Sequence, residues 1–519
     1  MAACFAEMEP IIHSTAFVVF CLCFALVTVA GFLASRWRSA DLNSLEEWGL
    51  AGRKFGTLTT WFLVGGDLYT AYTVIAVPAT LYGIGAYGFF AIPYCILAYP
   101  FMMLVLPQLW TICHRNGYIT IADFVRGRYG NRWLSIAIAL TGVLATMPYI
   151  ALQLVGMREV IAALGIDGEW PLIVAFVILA AYTYTSGLRA PAAIAIVKDV
   201  MLYIVILAAV IVIPAKLGGY IHVFRAASVA LQQHKPPGSV ILLPSQYLSY
   251  VSLAFGSAMA LALYPHTTTG VLSAASAKVI RRNAALLPAY NLLLALVALL
   301  GFMALAAGIR TTDTSSVVPL LFIKMFPDWF AGFCLAAIGI GALVPAAIMS
   351  IASSNLFTRN LYGELLQRPL TPAQESRMAK LVSIFIKFGA LIFVLEVKSK
   401  YAIELQLLGG IWILQLFPAV ICGIFTHWFH GTALLWGWLA GMASGTAMFA
   451  AGGWRSSIFP IHIGGQVYVV YAAVPALGVN FLVSIALTLI FQATGRLPGS
   501  DSTGELRYGE LASSARAEL

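Results

Sequence analysis

Charge is what this chain has least of. Only 10% of its 519 residues are Asp, Glu, Lys or Arg, against about 25% in ordinary soluble proteins. With 61% hydrophobic residues, it has too little polar surface to coat a water-soluble fold, and it reads as a polytopic membrane protein. Signatures of catalysis are scarce too. There is no HExxH, no GxSxG in a suitable context, no P-loop and no pair of carboxylates at one depth of the apolar runs. These absences argue against a membrane enzyme and against ATP-driven pumping by this chain. The seven cysteines (Cys4, Cys21, Cys23, Cys95, Cys113, Cys334 and Cys422) lack metal-type spacing, and most act as small hydrophobes. Glu7 and Glu9 precede the first apolar run without a basic residue, so Ile11–Ser35 is expected to be a retained span rather than a cleaved signal. The net charge of +9 is scattered over short loops, a pattern that fits membrane topology better than a nucleic-acid partner.

Taking about 20 apolar residues per crossing gives roughly thirteen spans. They lie near 11–35, 58–82, 86–111, 133–157, 171–186, 197–216, 247–266, 285–308, 329–355, 379–396, 402–425, 431–452 and 467–492. If the N-terminus is outside, one set of loops holds Arg53, Arg126, Arg128, Arg132, Arg189, Lys198, Arg281, Arg282, Arg359 and other basic residues. The opposite set holds fewer, among them Lys216, Arg225, Arg310, Lys324 and Arg455. That excess places the C-terminus in the cytoplasm.

The second span, WFLVGGDLYTAYTVIAVPATLYG, is interrupted by Gly65-Gly66-Asp67. Glycine weakens a helix and a carboxylate is costly in hydrocarbon. Such a break persists only where the freed backbone groups meet protein, water or a ligand, as in the discontinuous helices of secondary transporters. Gly256 is expected to interrupt the seventh span and Gly409-Gly410 the eleventh. The second and seventh spans then hold equivalent places in two five-span halves of opposite topology. The expected units are an N-terminal span and loop (1–57), a first repeat (58–216), an outer loop (217–246), a second repeat (247–425), two C-terminal spans (426–495) and a disordered cytoplasmic tail (496–519).

Five stretches in order, GGDLYTAYTVIAVP, ITIADFVRGRYG, YTYTSGLRAPAAIAIVKD, YPHTTTG and VPAAIMSIASSNLFTRNLY, cover most of Trp61–Tyr362. In these the chain resembles the sodium/solute symporter family, and within it the branch of monocarboxylate permeases. The resemblance implies an all-α LeuT-type fold: a five-plus-five inverted repeat with one span before it and two after. It also implies a cation site between the second and ninth spans. Carbonyls would come from around Gly65, Gly66 and Leu68, and partners from the Ala347 carbonyl and the Ser350 hydroxyl. Family members carry a second hydroxyl after that serine where this chain has Ile351, with Ser353 and Ser354 a turn on; the coupling ion is Na+ or H+. The alternative is that these serines only bond the preceding turn. Asp67 is expected to assist ion coupling or to cap the second half-helix. Asp199 matches a family aspartate, but Lys198 replaces the usual Thr and Leu202 the usual Gln, so an interfacial pair with Lys198 or Arg189 is the stronger reading.

Substrate walls are expected beside the breaks at Thr70, Tyr72, Gln153, Gly256, Met259, Trp412 and Gln415. Few charges lie there, which suits a small, mostly apolar organic anion held by half-helix N-termini and hydroxyls. Lys387, Glu404 and His266 are left without a substrate role. The expected activity is ion-coupled import of a small monocarboxylate such as lactate, pyruvate or a short-chain acid. The alternatives are an amino acid such as proline or alanine, another small solute, or a transporter-like sensor. No cofactor or nucleic acid is expected.

Overall fold

The computed structural model describes residues 13–34, 41–66, 69–166, 168–367, 370–396 and 402–504. Among them, ten helices are long and apolar enough to cross a bilayer, and the pair Pro244–Leu261 and Pro265–Leu272, bent by 43°, makes an eleventh crossing. The 17-residue helix Trp170–Ser186 serves as the fifth span. The half-helices Thr57–Gly66 and Tyr72–Ile84 form the second. This matches the roughly thirteen crossings expected from apolar run length.

The ninth span, Asp328–Leu366, is the axis of the molecule, with its whole apolar window buried by protein. It packs against the first, fourth and sixth spans, and the sixth (Arg189–Lys216) also packs against the half-helix Thr57–Gly66. Prolines lie inside several spans, at Pro100, Pro107, Pro148 and Pro345. Neighbouring helices make such missing donors tolerable within a bilayer.

Two expected breaks fall elsewhere. The seventh span runs unbroken through Gly256 to Leu261 and parts at 262–264, where Pro265 opens the next helix. Proline suits that first helical position because its missing N–H would have no partner there. Gly256 instead admits a neighbour, since a Cβ on it would lie 2.8 Å from the Tyr471 ring. Likewise the eleventh span is helical from Ala402 through Gly409 and Gly410 to Leu414. A Cβ on Gly409 would sit 2.7 Å from the Ala145 carbonyl, and one on Gly410 would sit 2.6 Å from the Tyr471 hydroxyl. These glycines serve close packing.

The thirteenth span also starts later than expected, at Ala473. Before it, β1 (Ile458–Ile463) pairs antiparallel with β2 (Gln466–Tyr471) across Gly464-Gly465. Both glycines have positive φ, 58° and 79°, as a two-residue hairpin turn requires. The loop 217–246 contains the helix Tyr220–Gln232.

The basic face is tied together by ion pairs. Thr120 and Asp123 form a capping box at the helix Ile121–Tyr129. Asp123 also accepts from Asn360 at 2.7 Å and pairs with Arg359 at 2.7 Å, which joins that helix to the end of the ninth span. Gly187, at φ 57°, lets Trp48 approach, and Leu188 N–H bonds the Trp48 carbonyl at 2.9 Å. Beside it, Arg189 pairs with Glu47 at 2.5 Å. The tail was expected to be disordered, but 496–504 docks here: Asp501 pairs with Arg128 at 3.0 Å, and Ser502 N–H bonds the Gly127 carbonyl at 2.8 Å. Residues 505–519 lie outside the described residues.

Candidate functional site

The described part of the first half-helix of the second span runs from Thr57 to Gly66, whose carbonyl accepts from the Tyr69 N–H at 3.2 Å. A charged side chain meets the same carbonyl. Lys198 Nζ donates to the Gly66 carbonyl at 2.6 Å and to the Tyr69 carbonyl at 3.0 Å, and lies 2.9 Å from Asp199 Oδ1. Both side chains are 0% exposed. Tyr290 on the eighth span donates to Asp199 Oδ2 at 3.1 Å, and Tyr69 donates to the Tyr290 carbonyl at 2.6 Å. The expectation that Asp199 pairs with Lys198 holds, but the pair is not interfacial. It sits against the break, and Lys198 belongs to a helix interior rather than to a basic loop. Arg189 is engaged with Glu47 instead.

The expected cation cage is divided in this geometry. Gly66 meets Lys198 and Asp199, and Gly65 leaves room for the Tyr290 ring, where a Cβ would clash at 2.4 Å. Asp67 and Leu68 lie outside the described residues. On the ninth span, Ser350 donates to the Ala347 carbonyl at 2.8 Å and Ser354 to the Ile351 carbonyl at 2.7 Å, the local bonding of the alternative reading. Ser353 is fully buried. A second lysine approaches this side: Lys387, 1% exposed, donates to Ser383 at 2.9 Å, and Ser383 donates to Ser350 at 3.3 Å.

Beyond the break, the second half-helix starts with two of its N–H donors already used. Gln153 Oε1 accepts from the Ala71 N–H at 2.9 Å, and Thr70 Oγ1 accepts from the Tyr72 N–H at 3.1 Å. Gln153 and Thr70 therefore secure the break, and this N-terminus has less to offer an anion than expected. Trp412 and Gln415 turn towards the C-terminal spans, where Trp412 donates to Thr446 at 3.0 Å and Asn480 donates to Gln415 Oε1 at 3.3 Å. Glu404 accepts from the Ser457 N–H and hydroxyl, each at 3.0 Å.

A small cavity of about 30 Å³ joins the two broken spans. Five tyrosines line it: Tyr72 after the first break, Tyr264 in the second, Tyr94, Tyr149, and Tyr471 at the end of β2. Ser257, Leu261, Gln406 and Gly410 complete much of the wall. Of the expected substrate residues only Tyr72 lines it; Gly256 and Met259 lie on the same helix as Ser257 but outside the wall. Tyr471 is pinned by its hydroxyl to the Leu407 carbonyl at 2.8 Å and by its N–H to Ser252 at 2.9 Å. The Tyr264 hydroxyl and Gln406 Oε1 are buried without a hydrogen-bond partner. Buried polar groups are normally satisfied, so these two mark a place built for a further polar group. His266 packs against the Tyr149 and Tyr264 rings behind the break.

Two broken helices meeting at a polar cavity inside an all-helical membrane fold define a secondary transporter of the inverted-repeat class. The sodium:solute symporter family matches residues 48–441, and the chain belongs to that family. It is a multi-pass membrane transporter, not an enzyme. Over 490 residues it is 52% identical to a "Monocarboxylate transport permease protein" of Rhizobium johnstonii, a match covering 94% of this chain and 99% of that one. It is 34% identical over 443 residues to "Uncharacterized symporter YodF" of Bacillus subtilis, covering 83% and 86% of the two chains. The fold is that of a Na+-coupled sialic acid symporter solved in a substrate-bound outward-open state. That structure has a TM-score of 0.75 and 16% identity, and the match covers 92% of this chain and 98% of the other.

Sequence reasoning named Lys198 only as a partner for Asp199, not as a group at the break, and it missed Tyr94, Tyr149, Tyr264, Gln406 and Tyr471. Lys198-Asp199 carried a usable signal, a charge pair within the apolar run of the sixth span. The tyrosines carried none, because aromatic residues in spans are ordinary packing material.

Proposed function

We propose that this chain is a cation-coupled symporter that imports small monocarboxylates, such as lactate, pyruvate or short-chain acids, by alternating access. The observation that carries the reading is the tyrosine-lined cavity with the unpartnered Tyr264 hydroxyl and Gln406 amide oxygen at its wall. A phenolic O–H donates strongly to a carboxylate, and the Gln406 amide can rotate to offer either oxygen or N–H to a 2-hydroxyl or 2-oxo group. The ring faces suit a short alkyl chain. No Asp or Glu is among the described residues lining the cavity, so an amino acid's ammonium lacks a counter-charge there. The relative from Rhizobium johnstonii, named for monocarboxylate transport and 52% identical, supports the same substrate class.

A cavity of about 30 Å³ has room for one or two waters. An organic acid therefore enters only as the two broken spans move apart, which is the motion alternating access requires. The basic face carrying Arg126, Arg128 and Arg359 is assigned to the cytoplasm, with the N-terminus outside.

The test is uptake of radiolabelled lactate, pyruvate and alanine into proteoliposomes, with sodium and proton gradients imposed separately. Gradient-driven uptake of the two acids, with alanine excluded, is expected. Uptake of alanine alone would transfer the site to amino acids, and no uptake of any of the three would end the monocarboxylate reading.

A further inference from the structure

We propose that Tyr471 is a specificity-determining residue: carried in on the β1–β2 hairpin, its ring closes the cavity on that side and limits the length of acid the site accepts. The inference rests on the symporter reading above and names the residue that sets substrate size. The hairpin joins the twelfth span, Gly431–Ala451, to the thirteenth, Ala473–Ala493. An even number of crossings separates it from the loop 217–246, so both lie on one side of the bundle, opposite the helix Ile121–Tyr129. Its tip stands clear of the core, with Ile463 62% and Val467 55% exposed. Its last residue does the reverse. Tyr471 is 0% exposed and forms cavity wall together with Tyr72, Tyr149 and Tyr264.

Glycines build the slot for this ring. A Cβ on Gly256 of the seventh span would lie 2.8 Å from the ring, and one on Gly410 of the eleventh would lie 2.6 Å from its hydroxyl. The Tyr471 N–H donates to Ser252 at 2.9 Å and the hydroxyl donates to the Leu407 carbonyl at 2.8 Å. At the start of the hairpin, Ser457 gives its N–H and hydroxyl to Glu404, each at 3.0 Å, and its carbonyl accepts from the Ala472 N–H at 2.9 Å. Both strands are therefore anchored where they meet the bundle. The hydrogen bonds of Tyr471 go to the seventh and eleventh spans, so the ring stays with them when the second and seventh part to admit an acid. With its hydroxyl proton given to a backbone carbonyl, Tyr471 has none to donate to a carboxylate. The unpartnered Tyr264 hydroxyl lies close by, 3.7 Å from the same Cβ position on Gly410. The carboxylate is assigned to Tyr264 and Gln406, and the Tyr471 ring bounds the space left beside them. Tyr471 reads length, not charge.

The experiment has a competition arm and an arm that needs no substrate. In the first, unlabelled propionate, butyrate and hexanoate compete with radiolabelled lactate for uptake into vesicles. The natural chain is expected to prefer propionate to hexanoate. Tyr471→Ala is expected to raise hexanoate relative to propionate by roughly fourfold for each methylene that enters the vacated space. Tyr471→Phe keeps the ring, loses only the bond to Leu407, and is expected to retain the natural ratio. Hexanoate taken as readily as propionate by the natural chain, an unchanged ratio in Tyr471→Ala, or an equal shift in Tyr471→Phe would overturn the proposal. In the second arm, Gln406→Cys is treated with a membrane-impermeant thiol reagent on the hairpin side. Labelling is counted above that of the chain with Gln406 intact. Adding Tyr471→Ala is expected to speed this labelling severalfold, and adding Tyr471→Phe to leave it slow. Equal rates with and without the ring would overturn the proposal. Where Tyr471→Ala shows no melting transition, Tyr471→Leu takes its place in both arms. If the natural chain takes up none of the acids, the substrate reading falls and the labelling arm alone decides the role of Tyr471.

Discussion

The Lys198 ammonium and the Gly66 carbonyl oxygen stand 2.6 Å apart, which makes a side chain of the sixth span the cap of the broken second span. This contact depends on Gly66 having no side chain. A Cβ there would lie 2.7 Å from Asp199 Oδ2 and 3.2 Å from Lys198 Nζ. Alanine is intrinsically the better helix former by about 1 kcal/mol. We predict that Gly66→Ala nevertheless abolishes lactate accumulation in vesicles, because it pushes the charged pair off the break. Unchanged accumulation would show that the close approach is not needed.

Gly256 supports the cavity by admitting Tyr471. Gly256→Ala should cost about 1–3 kcal/mol through overpacking against that ring. A lowered melting temperature of the purified protein would be the sign, and an unchanged one would count against tight packing at 2.8 Å.

Asp123 joins the helix Ile121–Tyr129 to the ninth span through Arg359 and Asn360. Asp123→Ala leaves those partners and two backbone N–H groups, of Ile119 and Thr120, without their acceptor. A loss of about 1–3 kcal/mol is expected, as for other charge-assisted hydrogen bonds. Thermal melting of the variant measures it, and Asp123→Asn should recover part of the stability because one amide oxygen still accepts.

Glu47 lies outside the spans. Burial pushes its carboxyl upward, but Arg189 at 2.5 Å and Lys54 at 3.0 Å outweigh this and hold it below the usual carboxylate value. A carboxylate depressed in the folded state adds stability that is complete above its unfolded pKa and is lost as pH falls through the folded value. The natural protein should therefore lose more melting temperature than Glu47→Gln as the pH drops below about 4.5, the ordinary value for this group. Parallel curves for the two proteins would remove Glu47 from the acid response.

The crossings and their order were legible in the sequence because a bilayer demands long apolar runs, and the break at Gly65-Gly66 was legible because an acid beside two glycines in such a run is costly unless the segment faces protein or water. Gly256, Gly409 and Gly410 misled because glycine in a membrane helix serves close packing as readily as unwinding. The seventh span parts instead just before Pro265, where the proline was the better signal. The cavity was the least legible feature, because Tyr72, Tyr264 and Tyr471 come from distant parts of the chain and meet only when the hairpin closes on the helices. Lys198 could have been found as a charge inside the sixth span, but the expected span began at 197 and left it at the edge, nine residues after the true start at Arg189.

The account rests most heavily on the cavity at the two breaks, and calorimetric titration of lactate into the purified protein tests it most directly. Saturable binding is predicted, displaced by pyruvate and not by alanine. Tyr264→Phe removes one charge-assisted hydrogen bond worth about 1.5–3 kcal/mol, so binding should weaken roughly 10- to 100-fold. Lactate affinity unchanged in Tyr264→Phe, or displacement by alanine as readily as by pyruvate, would contradict the account.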